Sequence, residues 1–135
     1  MGRRRAIPEW VGNWRVAIVN LQLSARAGRA CTVVRVGGEL DMETTPELED
    51  FREEVADGGA RQVVLDYTDV TFMDSSGLGL LVVLVKAFRD RGGRLCLSGV
   101  QQPVRDLLKL SAVDRVIDVY DTVELAEDDM PPVAS

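Results

Sequence analysis

Apolar residues fall in short blocks whose period switches repeatedly between two and about 3.6. Arg15 to Leu23 and Ala30 to Val36 predict two strands, the second rich in β-branched residues, joined as an antiparallel hairpin by a turn over Ser24 to Arg29 and ended by Gly37-Gly38. Leu48, Phe51 and Val55 then recur at helical spacing. Thr44 followed by Glu47 has the pattern of a capping box, Pro46 lies where a first turn tolerates it, and Asp57-Gly58-Gly59 stops the helix at about Ala56. Gln62 to Tyr67 has a continuous apolar centre, as expected of a parallel strand buried on both faces. From Ser75 to about Arg91 the chain predicts a helix whose first half, Leu78 to Val85, is apolar nearly all round and therefore deeply packed. Gly92-Gly93 ends it. Leu95 to Ser98 is a strand. A helix opens at Pro103 with Val104, Leu107 and Leu108 on one face. Val116 to Tyr120 is a short last strand, and Thr122 caps a final helix to about Asp128.

The order ββαβαβαβα predicts an α/β domain over residues 15–128: a mixed, mostly parallel sheet of about four to five strands with helices packed on it and right-handed crossovers. Residues 1–14 read as an arm with three arginines, Pro8, Gly12 and no period. Disorder and docking through Trp10 and Trp14 are both open there. Residues 129–135, with two prolines, read as a tail. Contacts with ligands or partners are expected at the C-terminal ends of parallel strands. Two loops meet that description, Gly38-Glu39-Leu40-Asp41 and Asp74-Ser75.

Composition removes several functions. Among 135 residues there is no histidine, so neither a Ser-His-Asp nor a Cys-His mechanism can be assembled within the chain. Zinc would need Cys31, Cys96 and carboxylates alone, and no metal site is expected. Lys86 and Lys109 are the only lysines. The net charge of -6 disfavours nucleic acid, whose phosphates call for Lys and Arg, and suits a basic surface on a protein partner. Cys31 and Cys96 lie in apolar runs and are expected as reduced, buried thiols. The longest apolar run, Leu78 to Val85, cannot span a bilayer, and the expectation is a soluble cytoplasmic protein without a membrane association.

The stretch Asp74-Ser75-Ser76-Gly77-Leu78-Gly79 carries the most information. Asp and Ser cap helices through side-chain oxygens. Two glycines in the first turn, each costing about 1 kcal/mol against Ala, do not belong there on propensity alone. Such glycines permit close approach of another chain or a nucleotide. A helix N-terminus also favours an added phosphate. Gly77-Leu78-Gly79 is not a phosphate loop, because Leu80-Leu81 stands where Lys and Ser/Thr are needed. Glu39 and Asp41 join the rim of the same end, and the acidic run from Glu39 to Asp57, interrupted only by Arg52, reads as a solvated face or as a surface that steers a basic partner.

From Val16 to Ala126 the chain resembles a STAS domain of the bacterial anti-sigma factor antagonist type. The resemblance is carried by Gly38-Glu39-Leu40-Asp41, Thr45-Pro46-Glu47-Leu48, Phe72-Met73-Asp74-Ser75-Ser76-Gly77-Leu78-Gly79, Gly92-Gly93 and Leu107-Leu108-Lys109-Leu110-Ser111. It implies that the unphosphorylated protein binds an anti-sigma factor that is also a serine kinase, thereby releasing a sigma factor. It further implies that the kinase phosphorylates the serine directly after the aspartate, here Ser75, with Asp74 supporting the acceptor, and that a PP2C-type phosphatase resets the switch. ATP and magnesium then belong to the kinase, and the antagonist itself is no enzyme and has no cofactor. The expected partner surface is Glu39, Asp41, Asp74, Ser75, Ser76, Gly77, Leu78 and Gly79. The free-standing length speaks against a transporter tail. The alternative is a stand-alone STAS module sensing a small ligand or nucleotide at the same loop ends. A hydrolase with Ser75 as nucleophile lacks any base but a carboxylate.

Overall fold

The computed structural model describes residues 21–131. Five strands form one sheet in the order β1-β2-β3-β4-β5: β1 (Gln22–Ala27), β2 (Thr32–Leu40), β3 (Gln62–Met73), β4 (Arg94–Ser98) and β5 (Val119–Tyr120). The pair β1–β2 is antiparallel and the other three pairs are parallel. The helices are α1 (Thr45–Asp57), α2 (Ser75–Asp90), α3 (Gln102–Leu110) and α4 (Val123–Asp128), with one 3-10 turn at Val113–Arg115. This is the mixed, mostly parallel α/β sheet that the alternation of periods predicts.

Alternation along the strands sorts the core into two layers. Val34, Val36, Val63, Leu65, Tyr67, Leu95 and Leu97 face α1, α2 and α3, which cover them with Leu48, Phe51, Leu81, Leu84, Phe88, Val104 and Leu108. Val33, Val64 and Cys96 face the other way, onto Val123 and Ala126 of α4 and onto Met130. The thick layer therefore rests on α2, which the sequence places against the centre of the sheet.

Several boundaries differ from the pattern. The strand expected over Arg15 to Leu23 lies mostly outside the described residues, and β1 occupies Gln22–Ala27, where a turn is expected. The turn moves to Gly28, whose N–H donates to the Cys31 carbonyl at 2.8 Å. Gly37-Gly38 does not end β2. The strand passes through both glycines with register shifts against β3, and Gly38 takes φ 113°, which explains why an apparent breaker sits inside a strand. β3 does not stop at Tyr67 but runs on to Met73, because β2 continues to pair with it. The last strand shrinks to two residues, as the 3-10 turn absorbs the chain before it.

The capping box of α1 is not formed. Thr44 turns its hydroxyl backwards, donating to the Glu39 carbonyl at 2.7 Å and accepting the Asp41 N–H at 2.9 Å. Glu47 accepts the Leu21 N–H at 3.1 Å instead of returning to Thr44. At α4 the cap is as predicted, with the Thr122 hydroxyl accepting the Leu125 N–H at 3.1 Å.

Candidate functional site at the β3–α2 junction

Asp74 turns strand into helix. Its backbone is extended, and one carboxylate oxygen accepts the N–H groups of Ser76 at 2.8 Å and Gly77 at 3.3 Å. Two of the otherwise unpaired donors of the first turn are thus satisfied from within. The Asp74 N–H donates to the Leu40 carbonyl at 3.0 Å, and Leu40 and Glu39 pair with Met73 and Phe72. The two loops singled out in the sequence consequently meet at one end of the sheet.

Ser75 is the first residue of α2 and is exposed. Among the described residues nothing hydrogen-bonds its hydroxyl. Among the described residues no base is hydrogen-bonded to it, and the hydroxyl is open to another molecule. Ser76 and Leu78 are half-buried, and Leu78 packs against the core.

The two glycines have different reasons. Gly77 is buried, and a β-carbon there would lie 2.6 Å from Met73 Cγ and 2.9 Å from Leu40 Cβ. Its lack of a side chain lets α2 seat on the ends of β2 and β3, so that requirement is internal and not that of a docking partner. Gly79 is exposed with nothing within 4 Å of such a carbon.

Glu39 is exposed at the end of β2. Asp41 is half-buried, and its carboxylate accepts the N–H groups of Glu43 at 2.9 Å and Thr44 at 3.1 Å. Asp41 therefore organises the loop into α1 in addition to standing on the rim.

Burial along α2 corrects the expectation of an all-round packed first half. The inner face is Gly77, Leu80, Leu81, Leu84, Val85 and Phe88. Val82 and Val83 are exposed, at 40% and 52%. With Ser75 and Gly79 they follow helical spacing and make one outward strip. Met42, 75% exposed, stands at the same end of the sheet in the loop after β2. These apolar residues were not singled out in the sequence, since a run of leucines and valines gives no sign of which member faces water. Grouping Ser75, Gly79, Val82 and Val83 at i, i+4, i+7 and i+8 would have found them.

The remaining expectations about chemistry concern cysteine, metal and membrane. Cys96 is free and buried, and burial pushes its thiol up to about 12. Cys31 is free but only half-buried, with its sulfur 3.8 Å from a Glu127 oxygen. Burial and that carboxylate raise its pKa as well. Among the described residues no group of three or more Cys, Asp or Glu could hold a metal ion, and no helix is long and apolar enough to cross a membrane.

Comparison with known proteins agrees with this architecture. The family model of the STAS domain matches residues 18–126. Among curated relatives, the anti-sigma F factor antagonist of Paenibacillus polymyxa is 32% identical over 104 residues, covering 76% of this chain and 89% of that protein. The anti-sigma-B factor antagonist of Staphylococcus aureus is 31% identical over 107 residues, covering 79% and 99%. Among solved structures, an anti-sigma factor antagonist from Mycobacterium paratuberculosis superposes with a TM-score of 0.70 at 25% identity, over 82% of this chain and 93% of that one. The Bacillus cell fate determinant SpoIIAA in its phosphorylated form does so with a TM-score of 0.60 at 25% identity, over 80% and 96%. With the sheet order, the β3–α2 junction and these matches in agreement, the chain belongs to the STAS domain family.

Proposed function

We propose that this STAS domain is an anti-sigma factor antagonist. In its unphosphorylated form it binds an anti-sigma factor with serine-kinase activity, and phosphorylation of Ser75 dissolves the complex. The observation that carries the reading is Ser75 itself: exposed, its hydroxyl free of hydrogen bonds among the described residues, and placed at the start of a helix whose outer strip continues through Gly79 to Val82 and Val83. The names of the two curated relatives support the class of partner.

The physical logic is differential. A phosphoserine carries about -1.5 to -2 charges. On an exposed helix N-terminus it costs the free protein little, since the dipole end is positive. In a complex that covers Ser75 and buries the apolar strip, the same charge must be desolvated, which is costly. The protein itself performs no chemistry and holds no cofactor. ATP and magnesium are the kinase's, and a phosphatase of the PP2C type restores the hydroxyl. Such a switch operates in the cytoplasm, where sigma factors act.

Incubation with the cognate anti-sigma kinase and ATP tests the assignment. Wild type should incorporate phosphate and Ser75→Ala should not, while Ser76→Ala remains a substrate. Equal labelling of wild type and Ser75→Ala would overturn the site. Ser75→Asp should bind the anti-sigma factor at least about tenfold more weakly, as a desolvated charge requires.

A further inference from the structure

A cavity of about 190 Å³ opens at the other end of the domain, between the C-terminal ends of α1 and α2. Its walls include Ala60, Arg61, Phe88, Arg91 and Gly93. Arg61 and Arg91 are both exposed, and among the described residues neither is ion-paired with a carboxylate. Between the two residues, the Arg61 guanidinium donates to the Arg91 carbonyl at 3.3 Å.

Arg26, Arg89 and Arg115 also lack a carboxylate partner among the described residues, so what sets Arg61 and Arg91 apart is the cavity they share. A neighbouring cavity shows the contrast, with Asp118 in the wall beside Arg89 and Arg94. Arg94 donates to Asp118 at 2.7 Å and to the Tyr120 hydroxyl at 2.9 Å, and Arg89 reaches the Val116 carbonyl at 3.3 Å. The walls of the α1–α2 cavity carry two arginines and, among the described residues, no carboxylate. The backbone around it offers no substitute donors, because the N–H groups of Gly59, Ala60, Gly92 and Gly93 already donate to the Ala56, Val55, Arg89 and Phe88 carbonyls. The buried Phe88 ring forms an apolar back wall, which strengthens any charge interaction in front of it. Cavities that take whole drug-sized ligands run to roughly 300–1,000 Å³, so this one suits a small group and not a nucleotide.

We propose that this cavity is a binding site for a small oxyanion, a phosphate or phosphomonoester group, held between the Arg61 and Arg91 guanidinium groups. Planar guanidinium donors match the geometry of phosphate oxygens. The site is separate from Ser75: the full length of α2, roughly 24 Å at 1.5 Å per residue, lies between them.

The test is an amide NMR titration of the full chain with inorganic phosphate, against sodium chloride at matched ionic strength. Saturating shifts are expected at Gly59, Ala60, Gly92 and Gly93. Arg61→Gln and Arg91→Gln should each weaken binding about tenfold, in line with the loss of a charge-assisted hydrogen bond. Arg61→Lys keeps the charge and should lose less, and Ser75→Ala should leave binding unchanged. A parallel titration with glycerol phosphate separates the sources. Tighter binding than phosphate assigns the site to a phosphomonoester, and weaker binding assigns it to the free anion. Absent or non-saturating shifts, shifts that persist in the Arg61→Gln/Arg91→Gln double variant, or shifts centred on Ser75 to Gly77 would overturn the proposal.

Discussion

Three residues at the start of α2 respond to substitution for three different reasons. Asp74 is an N-cap that satisfies two backbone donors, so Asp74→Ala should lower stability by about 1 kcal/mol. Gly77→Ala drives a methyl group into Met73 and Leu40, and overpacking of that kind costs about 1–3 kcal/mol. Gly79→Ala meets open space on an exposed helix and should stabilise by about 0.5–1 kcal/mol. Urea melts of the three variants give the order directly. A Gly77→Ala protein as stable as wild type would contradict the seating of α2 on the strand ends. The same comparison bears on what the sequence reveals at this scale. The block Asp74 to Gly79 stands out because its glycines break helix propensity, and the cap is legible from the Asp. Which glycine serves packing and which serves openness is not legible, since that depends on Leu40, more than thirty positions away in the chain.

At the scale of elements, the loop from β2 into α1 is held by a buried hydroxyl. Thr44 is 4% exposed and bridges the Glu39 carbonyl and the Asp41 N–H. Thr44→Val keeps the shape and leaves both groups without that partner, which should cost about 1–3 kcal/mol in equilibrium unfolding. Thr44→Ser, retaining the hydroxyl, should lose clearly less. The α1 example also shows where sequence reading stops. A Thr three residues before a Glu has the form of a capping box, yet the hydroxyl is claimed by the chain behind it and the carboxylate by Leu21. Helices α2, α3 and α4 could be placed from periodicity because their apolar faces are long or their caps unambiguous. β2 and β3 could not be bounded, because two glycines that normally end a strand here accommodate bulges, and Thr68 to Met73 extends only because a neighbour continues beside it.

At the scale of the whole molecule, the absence of histidine fixes the form of the pH response. No side chain with an ordinary pKa titrates between about pH 6 and 8, so stability should be flat there. The alkaline limb belongs to groups that burial keeps protonated. The Cys96 thiol, at about 12 in the folded protein against 9.0 for the ordinary value, favours the folded state fully below pH 9. Because the unfolded chain ionises first, that stability is lost progressively as pH rises from about 9 towards 12. Buried Tyr67, also raised by desolvation, adds to the loss above pH 10. Thermal melts of wild type and Cys96→Ala from pH 6 to 11 test this. The variant's melting temperature should be lower at neutral pH, from the lost packing, and fall less steeply between pH 9 and 10.

β4 leaves the sheet early. Its last rung with β3 joins Asp66 to Ser98, whereas β2 and β3 stay paired as far as Leu40 and Met73. β1 accompanies β2 as far as the rung of Gln22 with Gly37, and beyond it, among the described residues, Gly38 to Leu40 and Val70 to Met73 pair only with each other. Ser75 thus follows, among the described residues, a short two-stranded extension of the sheet whose inward side chains Leu40, Val70 and Met73 are buried. On the proposed function, a partner that reaches Ser75 meets this short extension and the first turn of α2 before it meets the five-stranded body.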